Sequence, residues 1–585
     1  MGKRYQWLGY WGLDQAQEFA KTLQILFPHI QNNYQLQILN NNENISGTIA
    51  YFGETLLETK AGNPRVINFA ASGVNNTADS WIKIDEDYLI LGRDTFGRVL
   101  SYWTQINQGI WFSSHCQLLL PLLSSPRVNL TALHNYTCFS YFPTPLTPIK
   151  EISAINAGEE VVFSCLNNQL THSKKIIHQW QSLPKTFNEE KEAIPQLQTL
   201  LKRSVENQLQ GINNEPVGIC LSGGLDSSII AALLVKLGVK VRAYTLEFEK
   251  DNLSEYPYAE MVAKHLNIPL VKVSITPEKI KKHLIKAVRA LDLPFGDGVT
   301  LPLYLLYQTA SQETEMIFNG ENGDQLFAGW TNKPIIAANI YQFQHPEYQK
   351  DFTEQYLQTF HHLYGYEKRI FTSEIYNQLL LNEPREAIQS SLDKEFSTDL
   401  LDRLRRATLM LKGAQNIQPR ATYLSNENGL WVRSPFCDID LTQWTFQTSE
   451  NLFLQQSCEK YILKKSVESW LPSEIVWRKK RGMGVPLTSW CLNSLWLTLG
   501  SWLNPTVLKA EGRFLDHLPL QLILGQISGH LRGRRIGEIL WLLLIWEVWR
   551  VKVLGEDKAK VSLLNPFYIP SPVWQKYANI RANYF

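Results

Sequence analysis

Short runs of alternating apolar and polar residues fill the first 180 residues, and Asn, Gly and Pro turns separate them. Alternation with a period of two is typical of strands that bury one face, so this part of the chain is predicted to be mostly β. The predicted strands are Thr48–Phe52, Asp87–Leu91, Ile110–Ser113 and Glu160–Phe163. After Trp180 the pattern becomes helical and rich in Glu, Lys and Gln, which places a domain boundary near residues 181–192.

From Pro216 onward, continuous apolar runs alternate with helical patterns. Continuous runs are typical of strands that are buried on both faces of a parallel sheet. The predicted strands are Val217–Leu221, Val241–Phe248, Leu270–Ser274 and Met316–Phe318, and the predicted helices are Ser227–Leu237, Tyr256–Leu266 and Leu301–Thr309. We therefore predict a doubly wound α/β domain, whose ligands bind at the carboxyl ends of the strands.

These patterns predict three regions: a β-rich domain over residues 1–185, an α/β domain over residues 192–555 that becomes mainly helical after about residue 335, and a C-terminal tail over residues 556–585. The most apolar run, Ile539–Trp546, is far shorter than the roughly 20 residues that cross a bilayer, so we predict a buried core helix. No apolar segment follows Lys3 and Arg4, so no signal peptide is expected.

The composition is that of a globular protein, with 44% hydrophobic and 19% charged residues among 585. The formal net charge is +2, and the basic residues are spread along the chain. This gives no electrostatic reason to expect nucleic acid or a membrane as a partner. The seven cysteines form no CxxC pair, and their odd number argues against a disulfide framework, so we expect a reducing cytoplasm.

The strongest motif is LSGGLDSS, residues 221–228, where a predicted strand gives way to a helix. Its two glycines allow the backbone to approach an anion, and the N–H groups at the helix start point towards that anion. Its serines add hydroxyl donors, and Asp226 can hold Mg²⁺. The alternative is a tight strand–helix connection without a ligand. No GxxxxGK[ST] occurs, and SGGLDS instead resembles the PP-loop of ATP pyrophosphatases, which release AMP and pyrophosphate.

A second glycine loop, NGENGDQLFAGW at residues 319–330, follows the predicted strand Met316–Phe318. In a parallel sheet this loop is expected to face the first one across the point where the strand order reverses. Asp324 would then lie near Asp226, and the two carboxylates would share the Mg²⁺–pyrophosphate. The alternative is an ordinary surface turn.

Together the two loops resemble the synthetase domain of the asparagine synthetase superfamily. LILGRDTFGRVLSYW and IWFSSHCQLLLPLL are similar to the RD-x-x-G and F-A-S-E segments of its class II glutaminase domain, which implies an α+β, amidotransferase-like β-sandwich in the N-terminal domain. VRSPFCD and SEIVWRKKRGMGVPLTSW are similar to the R-x-P-F-x-D and R-x-K-x-G segments. The resemblance covers roughly residues 85–550.

The resemblance implies a role for each matching residue. Asp226 and Asp324 would bind Mg²⁺, Glu321 would handle the proton of the amine, and Lys480 would offset negative charge at the reacting phosphate and carbonyl. ATP would be held by these residues: Leu221, Ser222, Gly223, Gly224, Asp226, Ser227, Ser228, Leu246 and Gly320. Without the resemblance, Lys480 would be interpreted as part of a solvated basic cluster.

The sequence departs from the family at several positions. Glutamine hydrolysis needs a cysteine directly after the initiator Met, and this chain has Gly2 there, so we expect no glutaminase activity. Trp431 stands where many members have Glu, and the Tyr that β-lactam synthetases carry in the second loop is also absent, which argues against that ring closure. Gln325 replaces the usual Glu beside the metal aspartate.

Without ammonia from glutamine, an amine on the substrate itself is the simplest nitrogen source. Lasso peptide macrocyclases fit this description and resemble the chain in lacking the N-terminal Cys and in stretches such as LDLPFGDG. The resemblance implies an enzyme that adenylates an Asp or Glu side chain of a precursor core peptide and closes a macrolactam with its N-terminal amine. It also implies a leader peptidase and a leader-binding protein as partners. The alternatives are an ammonia- or amine-dependent ligase like asparagine synthetase, another small-molecule amide ligase, and a catalytically dead scaffold.

Overall fold

In the computed structural model, the described residues are 6–13, 19, 22–23, 34–41, 46–52, 57–60, 65–69, 79–85, 87–166, 169–212, 216–248, 254–329, 353–354, 356–357, 363–379, 381, 383–393, 395–456, 458–524 and 534–584.

Two antiparallel sheets of six strands each make up the N-terminal part. The strands are β1 (Gln6–Gly12), β2 (Tyr34–Asn41), β3 (Ser46–Phe52), β4 (Leu57–Lys60), β5 (Arg65–Phe69), β6 (Ser80–Ile84), β7 (Tyr88–Arg93), β8 (Tyr102–Ile106), β9 (Gly109–Ser113), β10 (Ser153–Ala154), β11 (Glu159–Leu166) and β12 (Gln169–Ile176). The first sheet has the order β10-β8-β9-β1-β3-β2, and the second has the order β12-β11-β7-β6-β5-β4. All four predicted strands are present, as β3, β7, β9 and β11.

The two sheets share one apolar core, which explains their alternating patterns. Trp7 of β1 stacks on Phe69 of β5 with 4.9 Å between ring centroids, and so links the sheets. The strand β1 itself was not predicted, because all but its first residue are buried and it shows no alternation. Helices of the described ranges that accompany or follow the sheets include α1 (Cys116–Leu119), α2 (Leu130–Phe139) and α3 (Glu190–Asn207).

A fully parallel sheet follows, as predicted, and it has five strands where four were predicted. Its strands are β13 (Val217–Cys220), β14 (Val241–Phe248), β15 (Leu270–Ile275), β16 (Met316–Phe318) and β17 (Trp431–Arg433), in the order β15-β14-β13-β16-β17. The helices between the strands are α4 (Leu225–Lys236), α5 (Tyr256–Leu266), α6 (Pro277–Ala290) and α7 (Thr300–Ala310). The order reverses between β13 and β16, so a crevice opens there at the carboxyl ends of these strands.

Helices cover both faces of this sheet. One face packs with α3, α4 and α5 around Ile219, Ala243 and Phe318. The other packs with α6 and α7 around Tyr244 and Ile317. Apolar contacts on both faces account for the continuous hydrophobic runs in the sequence.

The remaining described chain is mainly helical. Its helices are α8 (Gly323–Leu326), α9 (Ser373–Tyr376), α10 (Glu383–Gln389), α11 (Leu400–Thr408), α12 (Gln418–Glu427), α13 (Ile439–Gln447), α14 (Tyr461–Val467), α15 (Ser473–Val476), α16 (Leu487–Leu492), α17 (Trp496–Trp502), α18 (Pro505–Glu511), α19 (Leu518–Ile523), α20 (Arg534–Trp549) and α21 (Ser571–Tyr584). A π-helical segment, Leu409–Ile417, joins α11 to α12, and a second, Arg550–Leu554, follows α20. The strands β18 (Leu454–Gln455) and β19 (Cys458–Glu459) form a small hairpin.

The apolar run Ile539–Trp546 lies within α20 and is buried, as predicted. Among the helices in the described ranges, none combines the length and apolar character needed to cross a membrane. The tail contacts α17: the ring of Phe567 lies 4.7 Å from that of Trp496, and Asn565 Nδ2 donates to Gly500 O at 3.0 Å.

Buried polar contacts connect the N-terminal sheets to the helical part. The guanidinium of Arg93, at the end of β7, is fully buried and donates to Ala414 O in the π-helical segment at 2.8 Å. Asp292 accepts from the backbone N–H groups of Cys116 and Gln117, at 2.6 and 2.8 Å, and so caps α1 from across this boundary.

Candidate active site

The first glycine loop connects β13 to α4. Gly223 has φ +69°, and a Cβ there would lie 2.5 Å from the backbone nitrogen of Ala259, so the loop tolerates no side chain at this position. Ser222 N donates to Ser227 Oγ at 3.2 Å, which draws the loop around the start of the helix. The N–H groups of the first turn of α4 therefore open onto the crevice.

The second glycine loop, which follows β16, packs directly on the first. A Cβ at Gly320 would lie 2.5 Å from Ser227 N, and one at Gly323 would lie 2.6 Å from Asp226 Cγ. Only glycine permits this approach. The two loops thus face each other across the reversal of strand order, as expected from the sequence.

Two lysines form ion pairs with the aspartates of the two loops. The ammonium of Lys460 forms ion pairs with Asp226 and, at 2.6 Å, with Asp324 Oδ1. Lys480 Nζ lies 2.7 Å from Asp324 Oδ2. Burial acts to raise the pKa of Asp324, but the two lysines outweigh it and bring this pKa down to about 2. Burial raises the pKa of Asp226 above its usual value although Lys460 opposes the shift.

The donor set around the two aspartates fits Mg²⁺. Both carboxylates reach the same ammonium, so a single cation can be shared between them. Asp226 Oδ1 is buried and has no hydrogen-bond partner among the described residues. Carboxylate oxygens are the protein ligands that Mg²⁺ prefers, usually one or two of them with phosphate oxygens and water.

Glu321 lies beside these acids and is held by Arg420. Arg420 Nη2 lies 3.6 Å from Glu321 Oε1, and its Nη1 lies 2.5 Å from Asp297 Oδ2. Burial raises the pKa of Glu321, and Arg420 partly counteracts that rise. A carboxylate whose pKa is raised towards neutrality is suited to accept a proton.

A cavity of about 510 Å³ brings these groups together. Of the residues predicted from the sequence, the wall includes Leu221, Ser222, Gly224, Asp226, Ser227, Leu246, Gly320, Glu321, Asp324 and Lys480. Among the described wall residues, basic side chains outnumber acidic ones by eight to six, which suits a polyphosphate.

Two of the predicted nucleotide contacts do not line this cavity. Gly223 lies behind the loop against Tyr258 and Ala259. Ser228 is fully buried, and its hydroxyl donates to Gly224 O at 2.8 Å. Both residues shape the loop. The buried position of the Ser228 side chain argues against a direct contact with the nucleotide.

Several wall residues were missed by sequence reasoning. Lys460 has φ +54° just before α14, and Arg420 lies within a long helical run, so neither belongs to a glycine motif. Arg478 makes two hydrogen bonds of 2.7 Å to Glu255 and lies over the ring of Tyr258. The basic run that contains Lys480 was the available signal for Arg478, and without the family resemblance that run is interpreted as a solvated cluster.

Two of the three positions where the sequence departs from the family are described, and they lie in different places relative to the cavity. Gly2 lies outside the described residues, as does Trp330 at the end of the second loop. Trp431 is buried in β17 and does not line the cavity. Gln325 is buried and contributes to the cavity wall beside Asp324.

Glycine loops and paired acids at the switch point of a parallel sheet define a nucleotide-using α/β enzyme. Comparison with known proteins narrows this class. The family model described as Asparagine synthase matches residues 196–550. The glutamine-hydrolyzing asparagine synthetase 1 of Bacillus subtilis is 22% identical, over 79% of this chain and 75% of its own length. A putative glutamine-hydrolyzing asparagine synthetase of Mycobacterium tuberculosis is 21% identical, over 82% of this chain and 76% of its own length.

Among solved structures, the NMN synthetase from Francisella tularensis is 24% identical with a TM-score of 0.18, and the match covers 24% of this chain and 58% of that one. The NH₃-dependent NAD synthetase from Campylobacter jejuni is 20% identical with a TM-score of 0.18, over 24% of this chain and 61% of that one. The chain thus spans less than two thirds of either structure.

The chain belongs to the asparagine synthase family. It is an ATP-dependent ligase of the asparagine synthetase type.

Proposed function

We propose that this enzyme adenylates a carboxylate with ATP, releases pyrophosphate and then transfers the acyl group to an amine, releasing AMP. The carboxylate is the Asp or Glu side chain of a precursor core peptide, and the amine is the N-terminal amine of the same peptide. The product is a macrolactam, as in lasso peptide cyclisation.

The observation that carries this proposal is the grouping of Asp226, Asp324, Lys480 and Glu321 in one cavity. The substrate carboxylate attacks the α-phosphorus of ATP, and negative charge grows on the departing pyrophosphate. Lys480 and the N–H groups at the start of α4 lie where they can stabilise that charge. Mg²⁺ bound by the two aspartates would neutralise the phosphates. Glu321 would then take the proton of the attacking amine.

The choice of nitrogen source rests on Gly2. An N-terminal domain similar to class II amidotransferases but without the nucleophilic cysteine cannot hydrolyse glutamine in the usual way. The domain then serves as a scaffold, and an amine carried by the peptide replaces ammonia. The partners are the precursor peptide, a leader peptidase and a leader-binding protein, in a reducing cytoplasm and without nucleic acid or membrane.

A second candidate is an ammonia- or amine-dependent ligase that makes a small-molecule amide, as asparagine synthetases do. The relatives in Bacillus subtilis and Mycobacterium tuberculosis favour a small-molecule amide product, because they are named as glutamine-hydrolyzing asparagine synthetases and the match covers about three quarters of their length. Both candidates use the same adenylation step and differ in the acceptor.

Turnover with ATP and Mg²⁺ tests the proposal and separates the two candidates. One assay contains a core peptide with a free N-terminal amine and an internal Asp or Glu, and the other contains aspartate with ammonium. We expect AMP, pyrophosphate and a peptide product lighter by one water in the first assay. Asparagine in the second assay alone would favour the second candidate. Release of ADP and orthophosphate would refute both.

Substitution of the two acids tests the site. Asp226→Ala and Asp324→Ala should each abolish AMP formation, because the nucleotide phosphates lose their shared cation. Asp440→Ala is the matched control, since Asp440 lies on the surface of α13 and pairs with Arg203. Unchanged AMP formation in the Asp324 variant would remove this residue from the metal site.

A further inference from the structure

A second group of potential metal ligands lies outside the cavity. His134, Cys138 and Glu367 form what we call the His–Cys–Glu cluster. One nitrogen, the sulfur and one carboxylate oxygen of these residues all lie within 4.8 Å of one another. His134 and Cys138 are buried, and none of the three lines the cavity of the ATP-dependent reaction.

The local structure fixes all three side chains. His134 and Cys138 lie four residues apart on α2 and so project from the same face of the helix. Asn129 caps that helix by accepting from Ala132 N at 3.2 Å. Glu367 begins a short 3₁₀ turn, and its Oε1 accepts from Gly365 N at 2.9 Å. The cluster is therefore presented by two ordered elements.

The separations are close to those around a tetrahedral ion. His134 Nε2 lies 3.2 Å from Glu367 Oε1. Two such ligands, each about 2.1 Å from zinc, are roughly 3.4 Å apart at the tetrahedral angle. A thiolate at about 2.3 Å from the ion would lie roughly 3.6 Å from each of them, so its present separations of up to 4.8 Å would have to shorten on binding.

Hydrogen bonding within the protein does not saturate these groups. His134 Nδ1 is buried and has no hydrogen-bond partner among the described residues. Glu367 is mostly buried, and its Oε1 accepts from Gly365 N at 2.9 Å and lies 3.2 Å from His134 Nε2. A buried carboxylate and a thiol beside a histidine form a donor set of mixed hardness that suits zinc.

We propose that the His–Cys–Glu cluster binds one zinc ion through the imidazole of His134, the thiolate of Cys138 and the carboxylate of Glu367, with water as the fourth ligand. The ion bridges two parts of the fold. It joins α2, which packs with the N-terminal part, to the segment that contains Phe371, whose ring meets His134 edge-on. Binding releases the thiol proton of Cys138 to solvent.

This proton release makes uptake dependent on pH. The metal must displace that proton, so affinity should fall steadily as the pH is lowered. The other titratable groups that interact electrostatically with residues of the cluster are Glu367 itself, the hydroxyl of Tyr364 and Glu383.

Cobalt titration of the full-length, tag-free protein tests the proposal. Co²⁺ alone is added to protein stripped with a chelator, and the thiolate-to-cobalt absorption band is followed. We expect one equivalent of Co²⁺ to produce the band and one equivalent of Zn²⁺ to abolish it. The band separates this site from Asp226 and Asp324, which offer only oxygen.

Two variants and one control complete the experiment. Cys138→Ser should abolish the band, and Glu367→Gln should weaken zinc binding by about 10- to 100-fold. Cys491→Ser, which removes another buried thiol, should leave the titration unchanged. The proposal is overturned if the wild-type protein gives no thiolate band, or if Cys138→Ser gives the same band. Since the first outcome needs no variant, a misfolded variant cannot hide it.

Discussion

Lys460 is the residue on which the charge balance of the cavity depends. It is buried and pairs with both Asp226 and Asp324, so its loss would leave two facing carboxylates without their shared cation. Lys460→Met keeps the length of the side chain and should lower the free energy of unfolding by about 3–5 kcal/mol in the absence of Mg²⁺. Because Mg²⁺ can replace the ammonium between the acids, adding it should recover more stability in the variant than in the wild type.

Urea unfolding with a chelator and with Mg²⁺ measures this difference. Lys202→Met is the control, because Lys202 forms an exposed pair with Glu206 and should contribute less than about 1 kcal/mol. An identical Mg²⁺ response in the wild type and in Lys460→Met would show that the ion does not bind between the two acids.

Arg420 sets the protonation of Glu321. Burial raises the pKa of Glu321 and Arg420 lowers it, so Arg420→Gln should raise it further. A base with a higher pKa is protonated over more of the neutral range. The pH at which the amide-forming rate rises should therefore shift to a higher value in Arg420→Gln, while Arg420→Lys stays near the wild type.

The pH profile of amide formation, measured separately from AMP formation, checks this shift. Arg242→Gln serves as the control, since Arg242 pairs with Glu313 away from the cavity. A profile that does not move in Arg420→Gln would argue against Glu321 as the base.

The sequence predicted the site residues that belong to compact motifs and missed those that do not. Asp226 and Asp324 follow glycines directly after buried strands, so their neighbours identify them. Lys460 lies just before α14 and Arg420 lies in α12, and both reach the cavity only through tertiary packing. A single sequence holds no local pattern for such residues.

At the scale of secondary-structure elements, the two glycine loops pack directly against each other. A methyl group at Gly323 would lie 2.6 Å from Asp226 Cγ, so Gly323→Ala must push the loops apart. Since a displacement of about 1 Å can cost a hundredfold in rate, AMP formation should fall by roughly that factor. The measurement is initial-rate AMP release at saturating ATP.

Gly238→Ala provides a control with backbone strain but no displaced loop. Gly238 has φ +75°, and its added methyl group would meet no atom within 4 Å. This variant should lose about 1 kcal/mol of stability and keep the wild-type rate. Equal rates in both variants would show that the spacing of the loops does not limit adenylation.

Strands whose own residues form a recognisable hydrophobic pattern were predicted, and strands without such a pattern were missed. The strands β14 and β16 match their predicted bounds, because continuous apolar runs end at polar turns. The strand β17 has only three residues and pairs with β16, which lies more than a hundred residues earlier in the sequence. Such a short strand is specified by its partner in the sheet and not by its own pattern.

At the scale of the whole molecule, Arg93 joins the N-terminal sheets to the synthetase part. Its guanidinium donates to four backbone carbonyls, those of Val99, Ile155, Gly97 and Ala414. Arg93→Met would leave these buried oxygens without donors, so we expect a loss of about 3 kcal/mol or more in the free energy of unfolding.

Chemical denaturation measures the effect of Arg93→Met, and AMP formation measures whether the damage reaches the cavity through the π-helical segment. Arg127→Met is the control, because Arg127 is mostly exposed beside Glu151 and should change stability by less than about 1 kcal/mol. A loss no larger than that of the control would show that the two halves do not depend on this contact.

The two glycine loops emerge from β13 and β16, which are hydrogen-bonded neighbours in the sheet. A pair of adjacent strands behaves as a stiff support, so the gap between the loops is set when the protein folds and not when a substrate arrives. Alignment of the reacting groups then carries little entropic penalty at the moment of reaction. Evolution can change the surrounding helices to admit new acceptors while this pair of strands and its two loops stay in place.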